Sequence, residues 1–299
     1  MTAAERARPG PRTFHHSQFP AERLAAERTR SVWVCVPARN EERTVGGIVS
    51  DLVSLRELGA IDEVVVIDGG STDSTVAIAE SAGALVHQEA ELLPEYGDVL
   101  GKGDAMWRAL SVLEGDVVVY LDADSGGFGP HYACGLAGPL VCGDGRVEFV
   151  KAFYRRPFKV GDVSLPEGGG RVTELTARPL LKLFYPELAG FRQPLSGELA
   201  ATRDLLTRLP FATGYAVEIA MLIDAWKEVG LDALAQVDIE LRQNRHQPLS
   251  DLAPMADAVL RAVCVRLQRE GRLHELDGDE IVERPPFIRT GQPPRQSRR

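Results

Sequence analysis

Two aspartates one residue apart, Asp122 and Asp124, close the apolar run Val117-Val-Val-Tyr-Leu121, and a glycine-bearing turn follows them. Carboxylates in that position serve one of two ends. They stop a strand and bond the amides of the next turn. Alternatively, two positions apart on an extended chain, they share one side and face one ligand. A hard cation such as Mg2+ or Mn2+, which neutralises a nucleotide diphosphate, suits such a pair. Other chemistry-bearing groups are spaced along the chain. Lys102 stands between two glycines at a helix start, either as an anion contact or as a solvated lysine. The run Gly168-Gly-Gly170-Arg171 opens another helix, either as a plain loop or as a phosphate or carboxylate site of bare amides and one fixed cation. Glu218 sits between Val217 and Ile219 in an apolar helical stretch, where it is either a solvated face or a grip on sugar hydroxyls.

The elements that must position these groups alternate. "SVWVCVP", "EVVVIDGGS", "ALVHQ" and "DVVVYLDAD" read as strands. Between them, Val45, Ile48, Val49, Leu52 and Leu55 follow helical spacing. A second helix is expected from Ser71 as N-cap to Gly83 as C-cap. A third carries Met106, Leu110 and Leu113 on one face. Continuous apolar strands imply a sheet covered on both faces, hence a parallel α/β arrangement. Ligands bind such sheets beyond the carboxyl ends of the strands. Each of three strands ends there in polar residues: "PARNEE", "DGGSTD" and "DAD". Location therefore favours the ligand reading of Asp122 and Asp124. Downstream, "EFVKAFYRRPF" reads as a strand of changed orientation, "TGYAVEIAMLIDAWKEVGL" and "LSDLAPMADAVLRAVCVRLQREG" as helices, and "AQVDIELRQNRHQP" as a strand running into a loop.

The totals narrow the function classes. The chain has 299 residues, 44% hydrophobic and 26% charged, which fits a globular fold. Its formal charge of −9 argues against a nucleic-acid partner. The four cysteines (Cys35, Cys134, Cys142, Cys264) lack zinc spacing and read as thiols of a reducing, cytoplasmic setting. No apolar run approaches the ~18 residues of a membrane span.

The segments "VPARNEERTVGGIV", "VVVIDGGSTDSTVAIAESAGA", "GKGDAMWRAL" and "LDAD" together resemble GT-A nucleotide-sugar glycosyltransferases. "VKAFYRRP", "GGGRVTEL", "QPLSGELAATRDLL" and "GYAVEIAMLIDAW" are similar to the glucosyl-3-phosphoglycerate and mannosyl-3-phosphoglycerate synthase family. The resemblance spans about residue 30 to about residue 250 and implies a GT-A parallel-dominated sheet with a C-terminal mixed α/β acceptor region. It implies a retaining transfer of a hexose from a nucleotide sugar, UDP-glucose first, to 3-phosphoglycerate, with Mg2+ or Mn2+, in a homodimer.

Carried over by motif, Pro37, Ala38 and Glu41 line the nucleotide base, with Arg39, Gly69 and Ala123 beside the donor. Lys102 meets the phosphate side, and Asp122 and Asp124 form the acidic pair, Asp124 being the metal ligand. Leu195 and Glu218 surround the sugar; Gly170, Arg171, Val172 and Thr173 hold the acceptor, with Arg171 orienting it. The family's His-Arg-Asn loop reads Asn244-Arg245-His246 here, so Asn244 and His246 are both candidates for metal and acceptor contacts. Ser196 replaces a usual glycine and Gly69 a frequent serine. The expected divisions are an arm over 1–30, a nucleotide-sugar region over 31–130, an acceptor and catalytic region over 131–276 and a flexible tail over 277–299. Two alternatives stay open: a transferase using a GDP-sugar or another small acceptor, and, more distantly, a nucleotidyltransferase.

Overall fold

The computed structural model describes residues 10–155, 158–160, 163–165, 170–242, 249–273 and 282–290. Its elements run β1 (Arg12–His15), α1 (Ala21–Glu27), β2 (Val32–Ala38), α2 (Val45–Glu57), β3 (Glu63–Asp68), α3 (Thr75–Ser81), β4 (Leu85–Gln88), α4 (Lys102–Ala109) and β5 (Val117–Tyr120). They continue with α5 (His131–Val141), β6 (Phe149–Arg155), β7 (Phe158–Val160), β8 (Val163–Leu165), α6 (Arg178–Phe184), β9 (Leu199–Thr202), α7 (Arg203–Arg208) and β10 (Phe211–Ala212). Last come α8 (Val217–Val229), β11 (Leu234–Leu241), α9 (Leu249–Arg269) and β12 (Glu283–Arg284).

Eight strands form one sheet in the order β1-β11-β6-β9-β5-β2-β3-β4. All neighbours in it are parallel except those of β9, which runs against both β5 and β6. The period of two along each strand feeds two cores. Val64 and Val66 of β3 and Val117 and Val119 of β5 enter one, with α2 and α5; Val65, Ile67, Val118 and Tyr120 enter the other, with α4, α8 and α9. This two-sided burial is what the continuous apolar runs require. The chain winds outward from β2 through β3 to β4, then returns to place β5 on the other side of β2. That reversal opens a crevice at the carboxyl ends of β2 and β5.

Most expected elements are present, and the five apolar positions of α2 are all buried. Four features differ. The strand that reverses is β9, whereas "EFVKAFYR" (β6) shares the direction of β5 and β11. Helix α3 is capped at Ser74 rather than Ser71. The Ser71 amide and that of Gly70 are held by Asp68 Oδ2 at 2.9 and 3.1 Å, and Ser71 Oγ accepts from the Asn40 amide at 2.9 Å, which keeps this stretch out of the helix. Residues 12–15, read from composition as an arm, form the edge strand of the sheet. Residues 283–284, read as a tail, pair with β10, and Arg284 is buried. In both cases polar composition hid a long-range pairing.

Candidate functional site

The crevice collects charged side chains from six elements. Asp122 follows β5, and its Oδ1 accepts from Lys102 Nζ at 2.5 Å. The same ammonium donates to Glu218 Oε1 at 3.0 Å, at the first turn of α8. Close packing explains this meeting. A Cβ on Gly103 would lie 2.0 Å from the carbonyl oxygen of Ala212, so only glycine lets the start of α4 approach the chain that leads into α8.

Antiparallel β9 brings in a second set. Because it enters where β5 ends, with Tyr120 opposite Leu199, its leading residues Ser196, Gly197 and Glu198 arrive beside Asp122. Gly197 backs the pair: a Cβ there would sit 2.5 and 2.6 Å from the two Asp122 carboxylate oxygens. Glu198 is fully buried and meets the Nη1 of Arg242, which follows β11. Tyr154 and Ser196 hydroxyls donate to Glu198 Oε2 at 3.1 and 2.9 Å. Arg242, 2% exposed, then donates through Nη2 to Asp122 Oδ2 and Asp124 Oδ1, each at 2.9 Å. The two aspartates are thus held on a common guanidinium, while 54% of the Asp124 side chain stays open to the crevice.

Electrostatics follow the geometry. Burial alone would lower the Lys102 ammonium, but Asp122 and Glu218 more than offset this and raise its pKa. Burial opposes the Asp122 charge too, yet Lys102 and Arg242 hold its carboxyl well below the usual range. Burial likewise disfavours the Arg242 cation, and Glu198, Tyr154 and the two aspartates overcome it. Lys151, buried in the middle of β6, is pulled down to about 8 by burial, against the attraction of Glu218 and with repulsion from Lys102. Its Nζ lies 3.5 Å from the Glu218 carbonyl oxygen. Asp122, Asp124, Glu198 and Glu218 outnumber Lys102, Lys151 and Arg242 by one charge. An oxygen-rich site with excess negative charge, partly open at Asp124, fits a hard divalent cation.

The remaining expected positions sit around this centre. Pro37 and Ala38 end β2, and the Gly69 amide donates to the Ala38 carbonyl at 2.8 Å, joining the tips of β2 and β3. Arg39 is exposed. The Glu41 amide donates to Thr75 Oγ1 at 2.8 Å, and its carboxylate accepts from Thr44 at 3.1 Å. Ala123 is buried between the aspartates. Leu195 packs on the core ahead of Ser196. Gly170 leads Arg171, Val172 and Thr173 into a helical turn; a Cβ on it would lie 3.8 Å from Gln193 Oε1, so this turn borders the loop that places Gly197. Val172 and Thr173 are buried, and Arg171 is half-buried. Asn244 and His246 lie outside the described residues.

Sequence reasoning passed over Arg242, Glu198, Tyr154, Gly197 and Lys151. One signal was available: Lys151 is a charge inside the apolar run of β6, where an unpaired charge is costly.

The family described as "Glycosyl transferase family 2" matches residues 33–125, from β2 through the two aspartates. A curated glucosyl-3-phosphoglycerate synthase of Petrotoga mobilis is 43% identical over 268 residues, 88% of this chain and 82% of the relative. Among solved structures, mannosyl-3-phosphoglycerate synthase from Rubrobacter xylanophilus matches with a TM-score of 0.87 and 46% identity, over 95% of this chain and 100% of that one. Glucosyl-3-phosphoglycerate synthase from Mycobacterium tuberculosis, solved with Mn2+, UDP-glucose and phosphoglyceric acid, matches with a TM-score of 0.82 and 39% identity. That match covers 94% of this chain and 99% of that one.

Proposed function

The chain belongs to the family of glucosyl-3-phosphoglycerate and mannosyl-3-phosphoglycerate synthases, and on that footing we propose that it transfers glucose from UDP-glucose to the hydroxyl of 3-phosphoglycerate. The transfer retains anomeric configuration and requires a divalent cation, Mg2+ or Mn2+. The observation that carries the reading is the Lys102–Asp122–Glu218 constellation at the β2/β5 crevice, in a chain that matches these relatives over most of its length.

Asp124 would hold the cation, with Asn244 or His246. Bound there, such an ion neutralises the diphosphate as it departs. Arg242 sets both aspartates in place before the donor arrives, so little reorganisation remains at the moment of reaction. Lys102 offers its ammonium to the phosphate side. Glu218, 8% exposed, accepts from sugar hydroxyls at the floor and stabilises positive charge at the anomeric carbon. The base lies against Pro37, Ala38, Glu41 and Gly69, with Arg39 and Ala123 alongside and Leu195 near the sugar. Arg171, with the amides of Gly170, Val172 and Thr173, takes the acceptor's anionic groups. The leaving phosphate oxygen accepts the acceptor's proton as the new glycosidic bond forms and the bond to the diphosphate breaks. The enzyme acts as a cytoplasmic homodimer.

A second reading, transfer of mannose from GDP-mannose, rests on the fold likeness to the Rubrobacter mannosyl enzyme, TM-score 0.87 against 0.82 for the Mycobacterium glucosyl enzyme. Sequence identity does not separate the two, since glucosyl relatives reach 43% and 47%. One experiment decides. Purified chain is incubated with Mg2+, 3-phosphoglycerate and, in turn, UDP-glucose, GDP-glucose and GDP-mannose, and the glycosylated product is identified by mass and NMR. Glucosyl-3-phosphoglycerate from UDP-glucose supports the first reading. Product from GDP-mannose alone replaces it with the second, and no product from any donor rejects both.

A further inference from the structure

We propose that His15, His16 and Glu240 form a second metal site, distinct from the diphosphate crevice, for a borderline divalent ion of the Zn2+ class. His15 ends β1, His16 follows it, and Glu240 lies near the end of β11, the strand that pairs with β1. The Nε2 atoms of His16 and His15 lie 3.2 and 3.7 Å from the same oxygen, Glu240 Oε1. One donor atom from each residue falls within 4.8 Å of the others. Two donors each 2.0–2.1 Å from a tetrahedral ion stand about 3.3 Å apart, so this spacing needs little change to close around one. Imidazole nitrogen with a single carboxylate is a donor set that Zn2+ accepts and that Mg2+, which prefers oxygen, does not.

The surroundings orient these donors. His15 Nδ1 accepts from the Ser17 amide at 3.2 Å and stands 2.8 Å from Ser17 Oγ; binding a metal through Nε2 moves the ring proton to Nδ1, where Ser17 Oγ accepts it in place of the amide contact. His16 packs its ring against those of His15 and His131, with centroids 4.5 and 4.6 Å apart, and this fixes its plane. His16 Nε2 is buried, and its polar contact among the described residues is Glu240 Oε1, at 3.2 Å. Glu240 is aimed by the backbone. The pairing of β11 with β6 jumps from Asp238 to Leu241, and Glu240 adopts φ +68°, a left-handed conformation that costs a residue with a side chain about 1–2 kcal/mol. This irregularity turns the carboxylate toward the imidazoles. Glu240 stands two residues before Arg242, so an ion here would tie the N-terminal strand to the segment that positions Asp122 and Asp124.

The test uses the full chain, stripped of metal and carrying Asp124→Ala, Asn244→Ala and His246→Ala to remove the ligands proposed for the diphosphate ion. Zn2+ binding is measured by calorimetry. One Zn2+ per chain is expected, with the dissociation constant raised at least about 10-fold by adding His16→Ala or Glu240→Gln. Glu240→Gln keeps the shape of the side chain and guards against a misfolded His16 variant. Co2+ in place of Zn2+ should give the visible absorption of a four-coordinate ion in the starting protein, whether or not the further variants fold. Absence of Zn2+ binding, absence of that absorption, or an affinity indifferent to both substitutions would show a plain imidazole–carboxylate ion pair and overturn the proposal.

Discussion

Arg284 forks its guanidinium onto Asp104, Nε to Oδ1 and Nη2 to Oδ2 both at 2.7 Å, across a separation of 180 residues. Asp104 is fully buried in the first turn of α4, two residues after Lys102. The C-terminal strand β12 therefore anchors the helix that presents the site's lysine. Replacing Arg284 by Met leaves a buried carboxylate held by the Leu100 amide, at 2.9 Å, and by Arg108, at 3.2 Å. A loss of about 3 kcal/mol in urea unfolding is expected. A loss below about 1 kcal/mol would show that β12 is dispensable to the helix.

Arg242 carries the next expectation. It is buried and bonded to Asp122, Asp124 and Tyr154, with Glu198 behind it. Arg242→Met should lower kcat by about 10²-fold or more and raise the Mg2+ concentration needed for half-maximal rate. Arg242→Lys should not rescue either, because an ammonium cannot fork. Wild-type Mg2+ dependence in both variants would discard the positioning role.

Gly197 tests the crevice floor. A methyl group there collides with the Asp122 carboxylate. Gly197→Ala should lose most turnover while its thermal midpoint shifts by only about 2–4 °C. An active variant would mean that the Lys102–Asp122 contact is not needed.

As the proposed acceptor contact, Arg171 separates donor effects from acceptor effects. Arg171→Ala is expected to raise the apparent constant for 3-phosphoglycerate by about 10-fold or more, with the donor constant within about 2-fold. Equal changes in both would remove Arg171 from the acceptor side.

Glu89 gives a pH signature. Burial, reinforced by Asp104 and opposed by Arg108 and Arg39, pushes its carboxyl from 4.5 up to about 7. Between those values the folded chain holds a proton that the unfolded chain has released, so this group's contribution to stability is lost as pH rises through the window. Glu89→Gln removes the effect. Its stability relative to the wild type should rise between about pH 5 and about pH 8, by an amount on the order of 1–3 kcal/mol. A difference that stays flat with pH would refute the assignment.

Much of the fold was legible because its signals are local. Alternate residues of β3 and β5 feed opposite cores, and five positions of α2 bury one helical face. Such periodicity follows from backbone geometry alone. The acidic pair was legible too, since an apolar run ending in Asp122 and Asp124 marks a strand tip at a ligand edge. The N-cap of α3 was not, because the loop ahead of it is held by Asp68 at the end of β3 and, from 31 residues away, by Asn40 just past β2.

By itself, then, the sequence determined the alternating strands and helices and singled out Lys102, Asp122 and Glu218, which the fold brings together. Tertiary structure alone decided what holds them. Arg242 reaches Asp122 across 120 residues and Arg284 reaches Asp104 across 180, and Glu198 joins them because β9 enters the sheet backwards. Spacing along the chain encodes which face a residue takes on its own helix or strand. Which strand lies beside which is set by the packing of the whole sheet, and a buried charge finds its partner only once that order exists.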